Sequence, residues 1–265
     1  MLSLWLWTGF AQDSYFVTIV KGSATKTDKA AIKPGSKLLV TEKINLGSKE
    51  SMLVLLHPSK GRFVVTAQNA KESKDNMFTV LIKDFLELHE QNVRLSSRAI
   101  DEYMVSLEDY FRTDPSINSR FLIIDTLRVQ LPGRNYTKAD NKENFFFLQL
   151  VAPKPVNHKL KAENNSLIIT REDIVFKDSL YNKTMGQLNL AYIENYSGDR
   201  KIKLITSLEP AFITRAECSE VIRGIRTALK DSPDKEILKE LLTQIYYAYG
   251  KPDENTLTEI YRTTK

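Results

Sequence analysis

The run Tyr15–Ala67 restricts the fold more than any other part of the chain. Reversal signals recur through it at Gly22, Pro34-Gly35, Leu46-Gly47 and Pro58–Gly61. Turns spaced roughly every 8–12 residues admit only short strands and predict a small barrel or sandwich. Tyr15, Val17 and Ile19 alternate with Phe16, Thr18 and Val20, the pattern of a strand with both faces at least partly covered. Pro34-Gly35 suits the central positions of a type II turn, because proline presets φ and glycine tolerates φ > 0. It feeds a strand over Lys37–Thr41. The apolar run Met52–Leu56 pairs with Arg62–Thr66 across the five-residue loop His57–Gly61, a usual hairpin length.

The pieces Val17–Gly22, Ile32–Gly35, Lys37–Val40, Ile44–Gly47, Ser51–Leu56 and Gly61–Thr66 succeed one another as strand, PG turn, strand, loop closing on a small residue, strand and G-x-F-x-V strand. In this order they resemble the FecR-like β domain, over about a fifth of the chain. Families with that domain are envelope-associated in bacteria and act by binding, so the resemblance implies a binding module of the envelope. It does not imply regulation of a sigma factor, because the transmembrane helix of the FecR-type regulators is missing from this sequence. An unrelated SH3-like barrel fits the same turn punctuation.

Residues 1–12, MLSLWLWTGFAQ, are apolar and carry Gly9 and Ala11 in a G-x-A arrangement. This has the form of a signal-peptidase site and predicts a signal peptide cleaved after Ala11, with the protein periplasmic or secreted. The segment lacks a basic n-region and its apolar part, Leu2–Trp7, is short; an N-terminal strand or anchor is the alternative. Cys218 is the only cysteine, so no internal disulfide forms and the core must supply the stability. No later apolar run approaches the length of a membrane span. The net charge of +5 is modest, and the densest basic stretch, Lys21–Lys43, is interleaved with Thr, Ser and Asp. That reads as a solvated face; nucleic-acid binding by the basic β module is a second alternative for function.

The 265 residues suffice for two domains. The expectation is a β-rich barrel or sandwich module over 13–67, a linker and helical connector over 68–118, and an antiparallel α+β domain with C-terminal helices over 119–265. The polar Gln68–Asn76 is the linker. Phe78, Leu81, Ile82, Phe85 and Leu88 mark a helical stripe, although Phe78–Ile82 alone also fits a strand. A second helix is expected over Ile100–Phe111, capped by Ser96 or Ser97 and stopped at Asp114-Pro115. Strands are expected over Arg120–Leu131 and Phe145–Ala152, then as hairpins Leu167–Thr170 with Ile174–Phe176 and Gln187–Glu194 with Lys201–Ser207. Thr214 and Glu217 form a capping box for a helix over Arg215–Lys230. Ser232-Pro233 opens another over Asp234–Tyr249, with Gly250 as its C′ residue. This helical hairpin is expected to lie across the second sheet, with a short helix over Asn255–Tyr261 after it.

The reactive residues carry no catalytic signature. His57, His89 and His158 have no metal-ligand spacing, and no nucleophile elbow, P-loop or dinucleotide fingerprint occurs. Cys218 lies on the apolar stripe of its helix and reads as a core residue. Acidic pairs occur at Asp101-Glu102 and Glu172-Asp173; carboxylate catalysis leaves no local signature, so an envelope-polymer hydrolase is the alternative function. The reading favoured is a non-enzyme without catalytic residues, metal or cofactor, binding another envelope protein as a scaffold, alone or within a larger envelope or secretion assembly. The candidate partner surface is the tyrosine cluster Tyr246, Tyr247 and Tyr249, since tyrosine is enriched at interfaces. Packing of Tyr246 and Tyr249 in the core, with Tyr247 at its rim, is the plainer reading.

Overall fold

A computed structural model describes residues 14–69, 71–72, 78–82, 106–132, 136, 143–150, 155–174, 188–196 and 199–264. The chain is mixed α+β, and all but one of the strand pairings between its named strands are antiparallel. It divides into two units, Met1–Ser96 with Glu220–Ile237 and Ser97–Ser219 with Leu238–Lys265. Among the described residues no helix is long and apolar enough to cross a membrane, which says nothing about β-barrels. The proposed leader over 1–12, His89 and the acidic pair at 101–102 lie outside the described residues. The helix expected over Ile100–Phe111 starts at Leu107 and is capped by Ser106, in extended backbone, rather than by Ser96 or Ser97.

The first unit contains β1 (Ser14–Lys21), β2 (Ala24–Lys26), β3 (Lys37–Leu39), β4 (Lys43–Leu46), β5 (Met52–His57), β6 (Gly61–Thr66), β7 (Lys71–Glu72) and β8 (Phe78–Leu81). They make two four-stranded antiparallel sheets, β3-β1-β5-β6 and β2-β4-β8-β7. The sheets share one core, to which the first contributes Val17, Leu53 and Phe63 and the second Ile44, Leu46 and Val80. The PG turn forms as expected, with Gly35 at φ 86° and its N–H donating to Val17 O at 2.7 Å.

Two expectations change here. Phe78–Leu81 is a strand paired with β4, not the start of a helical stripe. Phe78 and Val80 fill the gap between the sheets, so period-2 burial prevails over the 3.6 pattern and the β module does not end at residue 67. The chain also returns to this unit through Glu220–Ile237, a stretch expected to lie across the other sheet. The reason is visible in β1, where a bulge at Thr18 sets Val17 opposite Leu55 and Ile19 opposite Val54. The bulge turns Ile19 and Val54 away from the shared core, yet both are fully buried. Gly224 closes on the strand there, its unoccupied Cβ position 3.3 Å from Val17 O and 3.4 Å from Thr18 Cα.

The second unit contains α1 (Leu107–Phe111), β9 (Phe121–Ile124), β10 (Thr126–Gln130), β11 (Phe145–Leu150), β12 (Val156–Lys159), β13 (Lys161–Glu163), β14 (Ser166–Thr170), α2 (Arg171–Ile174), β15 (Leu188–Tyr196), β16 (Asp199–Leu208) and β17 (Pro210–Ile213). The strands form the sheets β10-β14-β13 and β12-β11-β15-β16 and the pair β17-β9. Their shared core runs from Leu107 and Phe111 through Phe121, Val129, Phe146, Leu148, Leu190 and Ile205. The hairpin β15–β16 stands at its expected place.

Three further details differ from the sequence reading. Arg120–Leu131 is not one strand: Asp125 takes φ 54°, a left-handed conformation that Asp tolerates better than most residues, and separates β9 from β10. Its carboxylate accepts from Arg215 N at 3.2 Å. β9 pairs in parallel with β17, a strand that the sequence conceals because Pro210 and the short run after it have the form of a connector. The stretch after Thr170 is not a hairpin turn but a helical turn closed by a capping box. Thr170 N donates to Asp173 Oδ2 at 2.7 Å and Asp173 N to Thr170 Oγ1 at 3.3 Å. β14 pairs instead with β10 and β13.

Three helices close the chain, α3 (Arg215–Ala228), α4 (Asp234–Tyr249) and α5 (Glu254–Thr263). The box expected at Thr214 forms, with Thr214 N donating to Glu217 Oε2 at 2.7 Å and Glu217 N to Thr214 Oγ1 at 3.1 Å. Gly250 ends α4 at φ 116°. Asp253 caps α5 by accepting from Thr256 N at 2.7 Å.

Candidate functional site

The tyrosine cluster divides by side-chain direction. Tyr246 is half-buried, and its hydroxyl oxygen accepts from Asp114 N at 2.6 Å. Tyr249 is also half-buried by area, and burial pushes its hydroxyl up to about 12. Tyr247 is exposed, while its carbonyl accepts from Asn118 Nδ2 at 3.1 Å. The bonds from Tyr246 and Tyr247 tie the turn Asp114–Asn118 to the end of α4. Exposed Ile117 lies in that turn, so among the described residues the large apolar side chains exposed there are Tyr247 and Ile117. The three tyrosines do not form one face.

A larger surface lies on β11, β15 and β16. Residues directly opposite one another in an antiparallel ladder share a face, which puts Phe145, Ile193 and Ile202 in one row. Phe147, Ala191 and Leu204 form the next, with Lys159 of β12 opposite Phe147. The inner members are covered: Phe147, Ala191 and Ile193 are buried and Phe145 packs against them. At the β16 end the rows open to solvent, with Ile202 65% and Leu204 57% exposed. The opposite face carries the core residues Phe146, Leu148, Leu190 and Tyr192.

β16 thus runs against the usual rule of apolar-in, polar-out, and a bulge is the cause. Ala191 faces Leu204 but Leu190 faces Thr206, leaving Ile205 as the extra residue on β16. Ile205 itself and Leu208 beyond it point to the core; before the bulge Ile202 and Leu204 point outward and Lys201 and Lys203 share the core side. Lys203 escapes that core by its length. Its amine meets Glu108 Oε1 at 2.8 Å and donates to Tyr136 Oη at 3.5 Å. The bond to Glu108 raises the lysine's pKa against the opposing effect of desolvation. For Glu108, burial pulls upward, but the Lys203 bond and charge together with backbone bonding hold the carboxyl below its usual value. The alternation Lys201-Ile202-Lys203-Leu204 is the available sequence signal. Treating Lys201–Ser207 as a single strand in one phase hides it.

The reactive residues have local roles. His57 Nδ1 accepts from Ser59 N at 3.2 Å and Lys60 N at 3.1 Å, which organises the β5–β6 turn. His158 Nε2 meets Asp173 Oδ1 at 2.8 Å, and the other oxygen of that acid closes the capping box of α2. Among the described residues no group of three His, Cys, Asp or Glu could hold a metal ion. Cys218 is fully buried, and burial pushes its thiol from 9.0 up to about 12. Thiol reagents at pH 8 are therefore expected to label Cys218 only after denaturation; labelling of the native protein as fast as of the unfolded chain would contradict this burial. Both Cys218 and Tyr249 stay neutral longer in the folded chain than in the unfolded one. Stability from keeping these groups neutral is present below about pH 9 and is lost as pH rises towards about 12.

Comparison with family models, with curated proteins and with solved structures returns no match for this chain.

Proposed function

We propose that the protein is a non-enzymatic binding or scaffolding component of the bacterial envelope, periplasmic or secreted, and that it engages another envelope protein through the open end of the β11–β15–β16 face. The observation that carries this reading is the pair of apolar rows ending in exposed Ile202 and Leu204. Isolated exposed apolar residues need no explanation, but rows continuous with a buried cluster mark an interaction surface. Support for the location comes from the G-x-A site ending at Ala11 and from the likeness of the β module to the FecR-like domain. Tyr247 with Ile117 is a lesser contact.

The test is recovery of partners from native envelope extract by the intact protein and by Leu204→Glu and Tyr247→Ala variants. A charge placed in the centre of an interface is expected to weaken capture about tenfold or more, so Leu204→Glu should lose partners that Tyr247→Ala retains. Recovery of the same partners in the same amounts by Leu204→Glu and the intact protein would refute the assignment of this face.

A further inference from the structure

β16, whose outward side chains form the open end of that face, has ten residues and ends its sheet, with no strand paired to its outer side among the described residues. The opposite edge, β12, has four residues and presents Asn157, His158 and Lys159. A long edge offers a row of backbone donors and acceptors to any extended chain, and proteins guard such edges with lysines and bulges. β16 has both guards and yet exposes Ile202 and Leu204 beside them.

On the basis of the docking face proposed for β11, β15 and β16, we propose that β16 accepts an extended segment of a partner protein as an added antiparallel strand, its apolar side chains alternating with carboxylates. The apolar positions would lie beside Ile202 and Leu204, completing the rows that begin at Phe145 and Phe147. The carboxylates would lie on the other face beside Lys201 and Lys203. On the edge strand the cations are Arg200, Lys201 and Lys203, and the acids nearest the two lysines, Glu194 and Glu108, lie inward on β15 and α1. A second copy of the chain is the poorer occupant. In an antiparallel pairing that sets Ile202 against Ile202 of the other copy, Lys201 faces Lys203; setting Ile202 against Leu204 puts Lys203 against Lys203. Like charges directly opposite destabilise a ladder, whereas strand addition by a complementary segment takes its affinity from the backbone and its specificity from alternate side chains.

The experiment uses the full chain and three synthetic peptides: one alternating valine with glutamate, one with lysine replacing glutamate, and one with glutamate and N-methylated valines. Fluorescence anisotropy measures binding, and hydrogen exchange monitors the amides of residues 200–204. The glutamate peptide is expected to bind at least about tenfold more tightly than either control and to slow exchange on β16. Lys201→Glu should narrow or reverse the preference between the acidic and basic peptides. Equal binding of the N-methylated peptide, or binding without protection of β16, would overturn strand addition. Dimerisation of the chain that Leu204→Glu abolishes would overturn the choice of occupant. If Leu204→Glu loses partners from extract while the glutamate peptide fails to bind, the docking face stands and strand addition is wrong. If partner recovery is also unchanged, both fall.

Discussion

Replacing Gly250 with alanine is expected to destabilise the second unit by about 4 kcal/mol. Gly250 holds φ 116°, where an L side chain costs about 2 kcal/mol. There is also no room for one: a Cβ would stand 2.7 Å from Arg120 C and 2.8 Å from Arg120 Cβ, and closer still to Arg120 O. The carbonyl atoms belong to a hydrogen-bonded backbone and the Arg120 Cβ is fixed directly to it, so none of them can swing aside. Lys251 N donates to Arg120 O at 2.9 Å and Leu122 N to Lys251 O at 2.8 Å, so the residue after Gly250 is bonded alongside β9. Losing both bonds accounts for about a further 2 kcal/mol. The damage would spread, because Lys251 Nζ donates to Tyr110 O and Arg112 O, and Asp253 accepts from the Tyr110 hydroxyl at 2.7 Å. Gly35→Ala is the control: its φ is 86° but nothing lies within 4 Å of its Cβ position, so about 1 kcal/mol is expected. Urea unfolding of the two variants measures the difference. Equal losses would mean that Gly250 does not set the approach of Lys251 to β9.

Gly224→Leu should cost the first unit about 3 kcal/mol, while Gly224→Ala changes it by about 1 kcal/mol or less. In a helix alanine is favoured over glycine by about 1 kcal/mol. Here that gain is offset by contacts of 3.3 Å to Val17 O and 3.4 Å to Gly35 N and Thr18 Cα, which require small shifts. Leucine at this position must push the helix off the strand. Overpacking of this kind typically costs about 1–3 kcal/mol, and the upper end applies here because the neighbours are backbone. The bonds beside it, Gly35 N to Val17 O at 2.7 Å and Val17 N to Ser36 O at 2.8 Å, should exchange faster in Gly224→Leu. A leucine variant as stable as the alanine variant, with those amides still protected, would show that the helix does not seat on β1 here.

Local chemistry is what the sequence by itself determined. The turn at Pro34-Gly35, the hairpins β5–β6 and β15–β16, the box Thr214–Glu217 and the stop at Gly250 each depend on residues a few positions apart, so their spacing alone specifies them. Tertiary structure decided matters in which distant groups compete. Phe78–Leu81 satisfies both a helical and a strand pattern, and pairing with β4 settles it. Arg120–Leu131 has strand periodicity throughout, but Asp125 is bent by the start of α3, ninety residues further on. The tyrosine cluster resembles one surface because its members are adjacent, whereas successive helical residues point about 100° apart. The exposed rows at Ile202 and Leu204 depend on a single inserted residue, Ile205, which reverses the facing of everything before it. A bulge is a property of two strands in register; within β16 its only trace is the alternation Lys201-Ile202-Lys203-Leu204, out of phase with Ile205 and Leu208, and reading the run as one regular strand conceals it.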